Sequence, residues 1–379
     1  MTTGVLNRKV TFVVAIAIAF AGWIILAACN SGSPNDDLWL SPSYACAESD
    51  NYQDCVDAHD FSGSILIAKD WDVIYEIGVG IADTETGRKN TPETVYRIGS
   101  ITKQFTAVLI LMLQEQGLLS VDDTIDKFDI EYPYPTDITI HQLLNHTAGV
   151  PNYVTHPELP AMLADPDLTT EEAYAVWKDM LPQSPPGATL QYSNGGYHLL
   201  GMIIEDVTGR GYEELVEDWI FQPLAMENSG YGAGDFSELN AAYSFTEESG
   251  QQTFLNHEIP YSSGALVSSV RDLFKWDQAL FNNEVLKLSS LDQILTPHEG
   301  EFGYGYGLSI GDSYSHGGSI AGYSTDRREL IGFSAAIKSY WPDDQVMIVV
   351  LSNHNNVRTV RELSDSLRKM VNRNYPDIP

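Results

Sequence analysis

The run Arg97-Ile98-Gly99-Ser100-Ile101-Thr102-Lys103-Gln104-Phe105-Thr106-Ala107-Val108-Leu109-Ile110-Leu111-Met112-Leu113 changes character at its fourth residue. A turn-like Arg-Ile-Gly gives way to a helical pattern from residue 100 to about 116, with Phe105, Val108, Leu109, Met112 and Leu113 on one face. Gly117 stops it. The helix opens on Ser100-Ile101-Thr102-Lys103, a spacing that puts the lysine ammonium one turn from the serine hydroxyl, on the same face. A serine hydroxyl becomes a nucleophile only when a neighbour takes its proton, and a neutral lysine can do that. Neutral lysine near pH 7 needs a pKa about three units below ~10.4, or ~4 kcal/mol. Burial and nearby positive potential supply shifts of that size. Free backbone N–H groups at a helix start also suit a developing oxyanion.

Outward from this helix, residues 61–68 and 73–80 are β-type runs around Lys69-Asp70-Trp71-Asp72 and predict a hairpin. The middle of the chain reads as helical at 171–180, 196–207 and 212–220, with Pro- and Gly-rich breaks at 182–187 and 209–211. Strand character returns at 306–310, 335–340 and 345–351, the last two joined by a turn at 341–344. A helix at 357–371 closes the chain. Strands at both ends around a helical middle predict an α/β fold. One antiparallel sheet flanked by helices would carry an inserted all-α subdomain at roughly 120–260, with the pocket in the cleft between them.

Ser-x-x-Lys alone is weak, since Ser366-Leu367-Arg368-Lys369 repeats it inside the charged C-terminal helix, where both ends should face water. Two further elements add weight. Tyr192-Ser193-Asn194 is the chain's only Tyr-x-Asn, and His316-Gly317-Gly318 follows in a strand-like stretch. Each has a purely structural alternative: a core aromatic for Tyr192, a turn-forming asparagine before Gly195-Gly196 for Asn194, a locally bonded strand residue for His316. Together, and in this order, they resemble the serine β-lactamase/penicillin-binding-protein family, closest to its class C β-lactamase, DD-peptidase, D-aminopeptidase and esterase-like branch. That family orders Ser-x-x-Lys, Tyr-x-Asn and Lys/His-x-Gly along its chain. The likeness runs from about residue 61 to about 355 and includes Leu143-Leu144-Asn145-His146-Thr147-Ala148-Gly149 and Tyr261-Ser262-Ser263-Gly264-Ala265-Leu266.

The resemblance implies a β-lactamase/transpeptidase-like fold and a serine hydrolase that needs no metal or organic cofactor. Ser100 would attack an acyl carbonyl and form an acyl-enzyme, while Lys103 and Tyr192 share the proton. Asn194 would bind Lys103 and the substrate amide. The N–H groups of Ser100 and Ser319 would form the oxyanion hole, with His316, Gly317 and Gly318 along the substrate. Two departures shape the expected substrate. His316 stands where most β-lactamases carry lysine, so its charge would be half lost near pH 6.5 and activity would follow its protonation. Gly317 stands where they usually place threonine, and no Lys or Arg occurs between 288 and 315. Arg327 and Arg328, in an apparent insertion at about 326–333, would either reach a substrate carboxylate or form a solvated turn. These features favour an ester, or a peptide or amide such as a D-amino-acid peptide of cell-wall type. A class C-like β-lactamase acting on β-lactams is the alternative, and a non-catalytic envelope lipoprotein that binds peptidoglycan or a partner is the alternative from another class. Gly317-Gly318-Ser319-Ile320-Ala321 also approaches a nucleophile elbow, with Asp343 and His354 in order, but too few residues follow for a doubly wound sheet.

With 379 residues, 43% hydrophobic and 11% aromatic, the chain can build a large core. Its 21 Lys plus Arg against 52 Asp plus Glu give a formal net charge of −31, which argues against nucleic-acid binding. Arg8 and Lys9 precede an apolar run from 10 to 28, and Leu26-Ala27-Ala28-Cys29 resembles a bacterial lipobox. Residues 1–28 are thus expected to be a lipoprotein-type signal peptide, 29–56 a lipidated Cys29 and linker, and 57–375 the hydrolase domain, anchored on the envelope in the periplasm or at the cell surface. An uncleaved membrane anchor is the other reading of the same run. Both put the rest outside the cytoplasm, where Cys46 and Cys55 can form a disulfide, with two free thiols as the alternative. His141 and His146 lack metal-site spacing, and no His-Glu-x-x-His occurs.

Overall fold

The computed structural model describes residues 46–133, 137–232, 240–242, 256–298, 303–324, 329–354 and 357–376. The lipobox-like Cys29 with its apolar run, and Arg327 and Arg328, lie outside these residues.

Six antiparallel strands form the main sheet, in the order β2-β1-β11-β10-β9-β8. Strands β1 (Gly63–Lys69) and β2 (Asp72–Val79) come from the front of the chain. Strands β8 (Ser309–Ile310), β9 (Tyr314–Ser324), β10 (Glu329–Trp341) and β11 (Val346–Ser352) come from its end. Ile65 of β1 pairs with Val350 of β11, so the two ends of the chain meet in the centre of the sheet as expected. The β1–β2 turn falls on Asp70 (φ 54°) and Trp71 (φ 63°), a left-handed pair whose twist matches the strands it joins.

Helices cover both faces of the sheet, which is why its central strands read as unbroken apolar runs. Ile65, Ile67, Val346, Ile348 and Val350 point to one side, where α11 (Val357–Asn374) lays down Val360, Leu363, Leu367 and Met370. Leu66, Ala68, Met347, Val349 and Leu351 point to the other, into the main core with α2 (Thr102–Glu115) and α9 (Val270–Phe281). On α11, Ser366 bonds back to the Glu362 carbonyl (2.7 Å) and Lys369 is exposed, so the second Ser-x-x-Lys is surface structure.

Between β5 (Tyr96–Arg97) and β7 (Leu266–Ser268) the chain also holds two helices that the periodicity did not predict, α3 (Ile140–Leu144) and α4 (Leu159–Ala164). The three expected ones follow as α5 (Thr170–Trp177), α6 (Asn194–Thr208) and α7 (Tyr212–Val216). Within this insertion β6 (Gly230–Tyr231) is extended and pairs with β7, so the segment is not helical throughout. The strand expected at 306–310 shortens to Ser309–Ile310, because the Tyr306 N–H bonds to the Ile294 carbonyl (3.1 Å) and is lost to the sheet. The nucleophile-elbow reading fails: Ser319 lies inside a continuous antiparallel strand, not at a strand-to-helix turn.

Cys46 and Cys55 are joined in a disulfide that docks α1 (Tyr52–Asp57) beside α11. Arg373 of α11 donates to the carbonyls of Cys46 (3.0 Å) and Ala47 (3.1 Å) in the same loop. Closing so short a loop removes about 2–3 kcal/mol of chain entropy from the unfolded state. Replacing both cysteines with serine is expected to lower unfolding free energy by that amount in denaturant titration, without changing the hydrolytic rate at 25 °C.

Candidate active site

Ser100 sits in a single 3₁₀ turn, Gly99–Ile101, that runs directly into α2. Two glycines allow β9 to lie against this turn. Gly99 has φ +52°, and a Cβ there would sit 2.9 Å from the Ser319 nitrogen. At Gly318 a Cβ would meet the Ile98 carbonyl oxygen at 1.9 Å, so only glycine fits. The backbone nitrogens of Ser100 and Ser319 are thereby carried on abutting elements. Gly318→Ala is expected to push β9 off the turn and lower kcat by about 10²–10³, the loss of one oxyanion donor, measured on the folded variant.

Lys103 is fully buried, and desolvation holds its ammonium well below the ordinary lysine range. Its Nζ has three partners: Asn194 Oδ1 at 2.7 Å, the Ser263 carbonyl at 2.8 Å and Ser100 Oγ at 3.2 Å. The first two can only accept. A neutral amine therefore spends its two hydrogens on them and turns its lone pair to the Ser100 hydroxyl. Of these two acceptors the resemblance implied only Asn194. Ser263 lies in the Tyr261–Leu266 stretch, where the resemblance gave it no role.

Tyr192 lies over this group, its ring centroid 4.8 Å from Lys103 Nζ and its phenol near enough to Ser100 to feel it. Desolvation raises the phenol above its ordinary value and outweighs the opposing influence of Ser100, so at neutral pH it is a proton carrier, not a phenolate. The serine, the lysine, the phenol and Asn194 are thus brought together from two segments far apart in the chain.

Two residues missed in the sequence hold these groups in place. Asn152 Oδ1 accepts from Asn194 Nδ2 (3.1 Å), which orients that amide so that its oxygen faces Lys103. His146 brackets Tyr192: its carbonyl accepts the Gln191 N–H (2.8 Å) and its Nδ1 accepts the Ser193 N–H (3.2 Å). Its ring packs on Tyr192 at 4.3 Å, and its backbone takes φ 64°, uncommon for a non-glycine residue. The family-like stretch around His146 was a signal for it, but only contacts reveal the task.

His316 departs from expectation. Its ring is buried, with Nδ1 donating to the Gly317 carbonyl (2.6 Å) and Nε2 accepting from the Tyr304 hydroxyl (3.0 Å). Desolvation is the main cause that pulls its pKa down to about 3. It is a neutral ring at every physiological pH, so a charge change near pH 6.5 does not occur here. Among the described residues, the cluster Cys46, Cys55 and His59 has metal-like proximity, but the disulfide consumes both thiolates.

Two cavities open from Ser100 and Ser319. One, of about 250 Å³, is walled mainly by apolar side chains of α4 and the 259–264 segment. The other, of about 360 Å³, is bordered by Tyr192, His316, Gly317 and Gly318 and by Val357, Val360 and Arg361 of α11. Arg361 puts a cation at the site that the sequence reading had sought in Arg327 and Arg328.

A sequence model of the family described as Beta-lactamase matches residues 50–369. Penicillin-binding protein 4* of Bacillus subtilis (strain 168) is 28% identical over 304 residues, covering 70% of this chain and 65% of that relative, so the chain spans just under two thirds of its length. The octameric penicillin-binding protein homologue from Pyrococcus abyssi superposes with a TM-score of 0.70 at 30% identity, over 82% of this chain and 73% of that one. D-amino acid amidase from Ochrobactrum anthropi SV3 shares the fold, with a TM-score of 0.73 at 22% identity over 89% of this chain and 100% of that one.

Proposed function

Because the chain belongs to the beta-lactamase family, we propose that it is a serine hydrolase working through an acyl-enzyme on Ser100. The substrate would be an ester, or a peptide or amide such as a D-amino-acid peptide of cell-wall type. The observation that carries the mechanism is the buried Lys103, whose two acceptor-only partners leave its lone pair to Ser100. The Ser100 oxygen bonds to the carbonyl carbon as Lys103 takes its proton, and the N–H groups of Ser100 and Ser319 receive the oxyanion. The tetrahedral carbon then expels its leaving group, which Tyr192 protonates while recovering a proton from Lys103. Water repeats the sequence in reverse and frees the serine.

The peptide reading draws support from Arg361, a cation suited to a carboxylate on the leaving group. The relatives named as penicillin-binding proteins point the same way. Site of action is proposed from the N-terminal sequence alone: an exported, lipid-anchored envelope protein. Mass spectrometry after exposure to a fluorophosphonate and to a fluorescent penicillin tests the mechanism. An adduct on the Ser100 peptide, absent in Ser100→Ala, is expected. No adduct with either reagent would make the chain a binding module, and rapid turnover of nitrocefin would make it a β-lactamase.

A further inference from the structure

The two cavities beside Ser100 are chemically unlike, and the position of Tyr192 tells them apart. Both are lined by Ser100 and Ser319, so a carbonyl carbon on Ser100 Oγ lies at the mouth of each. Tyr192 borders only the cavity that also contains Arg361. The group that departs must receive a proton as its bond to carbon breaks, so it has to leave on the Tyr192 side. The acyl group, which stays on the serine, is left with the other cavity. There Tyr153, Leu159, Leu163, Ile259, Pro260 and Ile320 line the walls, and Leu159 and Leu163 come one turn apart from α4.

Resting on the reading of Ser100 as nucleophile, we propose that this cavity is an acyl-group pocket selective for an apolar chain or ring of about benzyl size, with Leu159 and Leu163 setting its depth. The wall near Ser100 carries polar atoms from Ser100, Asn194, Ser263 and Ser319, placed to meet the acyl amide or carbonyl, while the far wall offers aliphatic surface. An apolar cavity of about 150 Å³ already admits benzene, and this one is about 250 Å³. A charged or strongly hydrated acyl residue would lose its water against Leu159, Leu163 and Ile259 without gaining a partner. The substrate class that fits both sides is an apolar acyl residue joined to a small leaving group that bears a carboxylate.

The test is a series of p-nitrophenyl esters with one leaving group and acyl parts from acetyl to hexanoyl, plus 3-phenylpropanoyl. For the full-length protein, kcat/KM is expected to rise about fourfold per methylene until the pocket is full, with 3-phenylpropanoyl among the best. Leu163→Trp should cut the hexanoyl-to-acetyl ratio at least tenfold by filling the pocket, and Leu159→Ala should move the optimum to a longer chain. Thermal unfolding of both variants verifies that they are folded. A flat chain-length profile in an enzyme that needs Ser100, or an unchanged profile in both folded variants, overturns the pocket assignment alone. Turnover that survives Ser100→Ala overturns the nucleophile reading and the pocket with it.

Discussion

Lys103→Met is expected to lower kcat/KM by two to four orders of magnitude, the range spanned by loss of a positioned general base. The side chain keeps its length and apolar packing but cannot take the Ser100 proton. The pH profile separates this from a packing defect. Burial holds Lys103 below the ordinary lysine range, so in the wild type the working base is lost as pH falls through that depressed pKa. That acid limb should vanish from the residual activity of the variant. Stability carries the same signature. Unfolding releases Lys103 into water, where it binds a proton until about pH 10.5. The unfolded state therefore holds the extra proton, and wild-type stability rises with pH between the depressed pKa and that value. Above it the contribution is constant. Because methionine has no such proton, the difference in Tm between variant and wild type should shift in favour of the variant as pH is lowered. Melting curves from pH 6 to 11 measure it, and a pH-independent difference would show that Lys103 is not held neutral in the fold.

Asp277→Ala should destabilise the protein by about 3–5 kcal/mol, the usual result of stripping one partner from a buried ion pair. Asp277 of α9 and Lys338 of β10 are both fully buried and joined by a hydrogen bond. Lys338 stands directly across from His316 on the neighbouring strand, so the pair underlies the strand that borders the active site. Alanine would leave an ammonium in the core with no counter-charge. The double variant Asp277→Leu with Lys338→Met removes both charges and should recover most of the loss in urea denaturation. If the double variant is as unstable as the single one, the cost lies in packing instead of charge.

Much of this protein is legible along the chain because some of its rules are short-range. A spacing of three on a helix puts Ser100 beside Lys103 whatever the rest of the fold does. Periodicity marks α2, α6 and α11, and the two-residue turn at Asp70-Trp71 marks the first hairpin. Helix α9 carries an equally local signal, with Ser269 capping the Asp272 N–H ahead of Val270, Leu273, Trp276 and Leu280. Strand 306–310 misled because an alternating apolar run says nothing of where a backbone N–H will find its partner.

The sequence determined which functional groups exist and in what order, hence the family, the sheet built from both ends of the chain, and the hydroxyl, amine and phenol of the site. Only the tertiary structure decided their states. Lys103 is pushed toward its neutral form because residues more than ninety positions away seal it from water and supply its acceptors. His316 is neutral for the same reason, against the expectation from its free pKa. The split between an apolar cavity under α4 and one edged by Arg361 likewise exists only once α11, β9 and the inserted helices meet. Desolvation and long-range contact are properties of the assembled volume, and no local pattern of side chains encodes them.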